Sequence, residues 1–180
     1  MNTGVFSSKT LWKSSYYPQS LSVQEYEGNK VLFFERCGLA YIGTKNQYSN
    51  FELSFDVPFL RRQDVRNEQG EIIDPRATVL LVSFGGDTVD ASDYGYVNAA
   101  ESIVFHNSSE ITNYRGEHVA IDPNHLLFNE AEQRGFSVRI SVIDAAVTVG
   151  VKWENEKNYS TVLNYTLKGG TPTGHIHIWS

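Results

Sequence analysis

Two imidazoles and an indole stand at alternate positions near the C-terminus, His175, His177 and Trp179, separated by Ile176 and Ile178. Alternate side chains of a strand share a face, so if the isoleucines point into a core the three rings stand together on the outer face. A pyranose needs such a surface: an aromatic face for its C–H groups and planar polar groups for its hydroxyls. The other reading of the same residues is an edge covered by the N-terminal arm. Tyr94, Tyr96 and Asn98 repeat the spacing on a second segment, where they could line a cleft or pack inside. Trp153 shares its face with Val147, Val149 and Val151, which reads as core.

Metal ligation and catalysis are the other chemistries open to such residues. His175 and His177 could both reach one transition metal, but two ligands without a third are too few. Asp87, Asp90 and Asp93 offer hard oxygens within one loop, which suits a structural calcium ion, although the fixed spacing of an EF-hand is missing. A solvated acidic loop is the alternative. Apart from that calcium, no cofactor is indicated. Ser, His and Asp are present without a Gly-x-Ser-x-Gly elbow to frame a nucleophile. Lone Cys37, beside Gly38 and Leu39, has no internal disulfide partner and reads as a buried structural thiol. Sequons at Asn107, Asn158 and Asn164 matter if the chain passes through a eukaryotic secretory route.

Positioning these groups falls to strands. Phe51, Leu53, Phe55, Val57 and Phe59 alternate with Glu52, Ser54, Asp56 and Pro58, one face apolar and one wet. Phe136, Val138, Ile140 and Val142 alternate in the same way with Ser137, Arg139 and Ser141. Leu21 to Tyr26 and Val31 to Phe34 flank the turn Glu27-Gly28-Asn29-Lys30 and predict a hairpin. Further strands are expected around Leu39–Ile42, over Val79–Phe84, where Gly85-Gly86-Asp87 ends the run, and at Tyr94–Asn98 and Ser102–His106. Val147–Trp153, Thr161–Leu167 and His175–Trp179 complete the set. Arg61 to Arg76 reads as a long loop, Ile111 to Gly135 has no clear period, and Asn129–Arg134 could form one helical turn. Roughly nine to eleven strands between turn signals is the count of a two-sheet antiparallel β-sandwich of jelly-roll kind.

Bulk properties agree. At 180 residues, with 41% hydrophobic, 20% charged and 13% aromatic residues, the chain suits a single domain over 1–180, residues 1–20 forming a less regular arm. The net charge is −6, and Lys and Arg are scattered apart from Arg61, Arg62 and Arg66, so nucleic acid is not an expected partner. No stretch approaches the roughly 18 consecutive apolar residues of a membrane span. A start at Met1-Asn2-Thr3-Gly4 without an apolar run implies a cytoplasmic protein if Met1 is native, or a secreted or cell-surface module if the domain was excised. Open sheet edges would offer a second copy a place to pair.

Four segments, Asn50–Asp56, Tyr94–Tyr96, the Phe136–Ile140 and Val147–Val149 hairpin, and Thr173-Gly174-His175-Ile176-His177-Ile178-Trp179, carry a resemblance. Their order over residues 30 to 180 resembles the concanavalin A-like lectin/glucanase superfamily, in the subgroup with DUF1080-like, 3-keto-disaccharide hydrolase-type domains. His177 stands where that family usually has Gly. The resemblance implies a jelly roll, a curved face that binds glycans, frequent structural calcium and use as an accessory module of secreted, often bacterial, glycan-degrading proteins. Family glucanases carry Glu-x-Asp-x-x-Glu on a strand, whereas Glu52-Leu53-Ser54-Phe55-Asp56 supplies two acids only. The expectation is therefore a non-catalytic carbohydrate-binding domain, with a glycoside-active hydrolase or an adhesion sandwich as the alternatives.

Overall fold

The computed structural model describes residues 12–14, 21–34, 41–58, 68–69, 78–87, 99–106, 110–121 and 135–179. These form thirteen strands: β1 (Trp12–Ser14), β2 (Leu21–Tyr26), β3 (Asn29–Phe34), β4 (Tyr41–Thr44), β5 (Phe51–Val57), β6 (Thr78–Gly86) and β7 (Glu101–His106), then β8 (Glu110–Asn113), β9 (Val119–Ile121), β10 (Phe136–Ile143), β11 (Ala146–Trp153), β12 (Ser160–Thr166) and β13 (His175–Trp179). All pairings are antiparallel. A seven-stranded sheet runs β1-β4-β13-β6-β7-β8-β9, a four-stranded sheet runs β12-β11-β10-β5, and β2-β3 make a separate hairpin.

Period-two alternation becomes packing in β10. Phe136, Val138, Ile140 and Val142 are buried while Arg139 is exposed, and Ile140 stands opposite Val149 on β11 and Leu53 on β5. These residues meet Val82, Phe84, Ile103 and Phe105 of the larger sheet in one apolar cluster, and the Phe51 and Phe84 rings touch across it with centroids 5.5 Å apart. Fully burying a branched or aromatic side chain is worth about 1.5–3 kcal/mol, so this shared layer holds the sheets together. The result is an all-β, sandwich-like fold.

Turn chemistry sets the joints. Glu27 and Gly28 both have positive φ (49° and 77°), the conformation a two-residue hairpin needs to follow strand twist. The segments that the sequence pattern read as punctuation are partly strand. Gly43 lies inside β4, paired with Lys13 and His177. β6 runs through Gly86 because Gly85, at φ 73°, is the extra residue where the register with β13 shifts, and a Cβ there would lie 2.6 Å from that of Ala100. The segment without a period contributes β8 and β9, which are too short to alternate visibly. Among the described residues no helix is long and apolar enough to cross a membrane.

Candidate functional site

The alternation places His177 and Trp179 opposite Ile176 and Ile178, but the face they occupy is not open. Across the seven-stranded sheet, Trp179 aligns with Tyr41 and Leu81, and Leu81 with Val104. The four form a second buried cluster on the side away from the main core. Tyr41 contacts both neighbours, with ring centroids 4.7 Å from Trp179 and 5.5 Å from His177. His175, His177 and Trp179 are 8%, 3% and 5% exposed, which corrects the expectation of a solvent-facing platform.

Polar atoms of this face are satisfied internally. Trp179 Nε1 donates to Ser83 Oγ at 2.9 Å, and His175 Nδ1 lies 2.8 Å from the Thr44 carbonyl. A carbonyl can only accept, so Nδ1 carries the proton. Pairing the indole and imidazole within the sheet explains how such polar rings tolerate burial. Trp153 lies where the sequence puts it, in the core against Phe136.

Of the other expected site residues, Asp87 is exposed just beyond β6. Tyr94, Tyr96, Asn98, Asp90 and Asp93 lie outside the described residues, as do Cys37 and the sequon at Asn107. Asn158 and Asn164 are exposed. Among the described residues no group of three or more His, Cys, Asp or Glu side chains is placed to hold a metal ion.

A different cluster, which sequence spacing does not reveal, lies beside the β8–β9 turn. There a cavity of about 250 Å³ is lined by Glu101 at the start of β7, Arg115, Glu117 and His118 from the β8–β9 turn, Tyr165 on β12, and the Thr166–Gly170 and Pro172 stretch that follows. Asn113, 1% exposed, holds the turn: its Oδ1 accepts from His118 N at 2.9 Å and its Nδ2 donates to Glu101 Oε2 at 3.3 Å. Glu101 Oε1 accepts from Ser102 N at 2.8 Å. The carboxylate is therefore fixed from both sides at 8% exposure. One protein bond falls on each oxygen, leaving acceptor capacity on both.

His118 stacks on Tyr165 with ring centroids 4.1 Å apart and planes 15° from parallel, joining the turn of one sheet to a strand of the other. Tyr165 is 9% exposed, and its hydroxyl is shut off from solvent without a hydrogen bond of good geometry, the Glu101 carboxylate being its polar neighbour. Burial, and next the nearby Glu101 charge, push the phenol well above its ordinary value of 10.0, so it stays protonated. At the rim Lys168 Nζ lies 3.5 Å from Glu117 Oε2, a pair too exposed to contribute much.

The arrangement supplies a fixed carboxylate acceptor and a neutral, buried phenol beside a small volume. That defines an all-β, sandwich-like protein with a polar ligand-sized cavity. No protein-family model matches the chain, and no curated protein matches it.

Proposed function

We propose that the chain is a non-catalytic, lectin-like carbohydrate-binding domain built on a concanavalin A-like jelly roll, an accessory module of a secreted glycan-degrading protein, and that the cavity beside the β8–β9 turn holds the sugar. One observation carries this reading: a cavity of about 250 Å³ lies beside Glu101, a carboxylate fixed by Ser102 N and Asn113 Nδ2. A carboxylate with one protein bond on each oxygen keeps acceptor capacity that a ligand hydroxyl can use. The cavity's other resources fit a polyhydroxylated ring better than an apolar one, because Glu101 accepts and the rim is charged. The face of His177 and Trp179 is assigned to packing on this reading.

Affinity electrophoresis through gels containing a panel of polysaccharides, with a glycan array beside it, tests the proposal. Retardation is expected for the wild type and for Trp179→Phe, and its loss for His118→Ala. Absence of glycan binding across both assays overturns the proposal. Cleavage of a bound glycan, including a 3-keto glycoside, overturns its non-catalytic part and favours a hydrolase.

A further inference from the structure

We infer that the cavity beside the β8–β9 turn, on the reading that it holds a sugar, selects one with a free amine, whose ammonium group would sit against the Glu101 carboxylate. Charge is placed unevenly in the cavity wall. Glu101 is 8% exposed, and its two hydrogen bonds come from neutral donors, Ser102 N and Asn113 Nδ2. The ion pairs among the described residues, Arg139 with Glu52 and Lys168 with Glu117, leave it out. Tyr165 does not compensate it either, because burial and then the Glu101 charge itself keep the phenol protonated and neutral. A carboxylate so far from water is normally paired with a cation, and the described residues place none within ion-pair distance.

The cations that line the cavity are on its solvent side. The Lys168 side chain is 85% exposed and already 3.5 Å from Glu117, and Arg115 is exposed. Water and salt screen those charges, whereas at Glu101 the surroundings are less polar and an attraction is stronger. The inner charge is therefore negative while the outer ones nearly balance, so a ligand gains most by carrying a positive donor inward. An ammonium group brings three donors and a full charge, which a hydroxyl or an acetylated amine does not. At about 250 Å³ the cavity is smaller than the roughly 300–1,000 Å³ of sites for drug-sized ligands, so single sugars are sufficient probes.

The test titrates the full chain with glucosamine and galactosamine, their N-acetyl forms, glucose, galactose and glucuronate, following amide shifts by NMR. The better amino sugar should bind at least about tenfold tighter than its parent sugar and its N-acetyl form, the difference between a charged and a neutral hydrogen bond, with glucuronate weakest. The net charge of −6 attracts every cation at long range, so the series is repeated at about 0.15 M and about 1 M salt, where the screening length falls from about 8 to 3 Å. A preference set by Glu101 should survive that change, because a buried pair is screened little. In Glu101→Gln the preference should vanish while the parent sugar still binds, and in Lys168→Ala it should remain. The salt series on the wild type decides the matter alone if Glu101→Gln does not fold. Equal binding of amino sugar and parent, loss of the preference at the higher salt, its persistence in Glu101→Gln, or glucuronate binding as tightly as glucosamine overturns this inference while leaving glycan binding intact. Failure of every sugar and every polysaccharide overturns both.

Discussion

Two clusters of aromatic and imidazole groups occupy different parts of the larger sheet's surroundings and differ in one physical respect. On the outer face of that sheet, Tyr41 meets His177 edge to face and Trp179 at a tilt, and the Trp179 indole is bonded to Ser83. Beside the β8–β9 turn, His118 stacks on Tyr165, whose buried hydroxyl makes no hydrogen bond of good geometry among the described residues. Ring content alone does not make a ligand site. The first cluster uses its rings as packing and completes its own hydrogen bonds, while the second sets a fixed carboxylate and a buried phenol beside a cavity.

Trp179→Ala should have the largest effect. If the first cluster is packing, the substitution removes a large buried side chain and leaves Ser83 without its donor, so stability falls by about 3–5 kcal/mol in chemical denaturation. A loss below about 1 kcal/mol would return the face to the role of an open platform. Trp179→Phe keeps most of the volume and should cost far less, with glycan binding retained.

Glu101→Gln sharpens the other side with a smaller effect. The carboxylate serves two donors, Ser102 N and Asn113 Nδ2, and a carboxamide has one oxygen, so one buried donor would meet an amino group instead. A loss of about 1–3 kcal/mol is expected by thermal or chemical denaturation. Because the Glu101 charge is the second cause of the raised Tyr165 phenol, the same variant should bring that titration down while leaving it above 10.0, since burial, the larger cause, remains. An unmoved tyrosine titration would separate the two groups.

The sequence made the fold more legible than the cavity, for reasons visible in particular residues. Phe51 to Val57 and Phe136 to Val142 alternate because each strand buries one face, and period two survives in the sequence wherever that holds. At β13 the same rule gave the correct sides, but all five residues are buried, so alternation could not tell an outer face from an open one. The cavity draws Glu101, His118 and Tyr165 from three places far apart in the chain, which strand pairing in one sheet and its packing against the other bring together. One signal was available: Glu101 falls in phase with Ile103 and Phe105, a charged residue at an inward position, where burial requires a bonded partner.

Tyr165→Phe has the smallest expected effect on folding. Removing a buried hydroxyl that makes no hydrogen bond of good geometry should leave stability near neutral pH unchanged or raise it by about 1 kcal/mol, by urea denaturation. The difference should depend on pH above 10. Unfolded tyrosine ionises near 10, whereas the folded phenol is held protonated to higher pH, so unfolding releases a proton there and stability falls as pH rises. Below about pH 10 both states are protonated and the wild-type and variant curves should run parallel. Above it the wild type should fall more steeply, the other tyrosines contributing equally to both proteins. Parallel curves through the alkaline range would mean that the phenol titrates normally in the folded chain, and that it is neither desolvated nor coupled to Glu101.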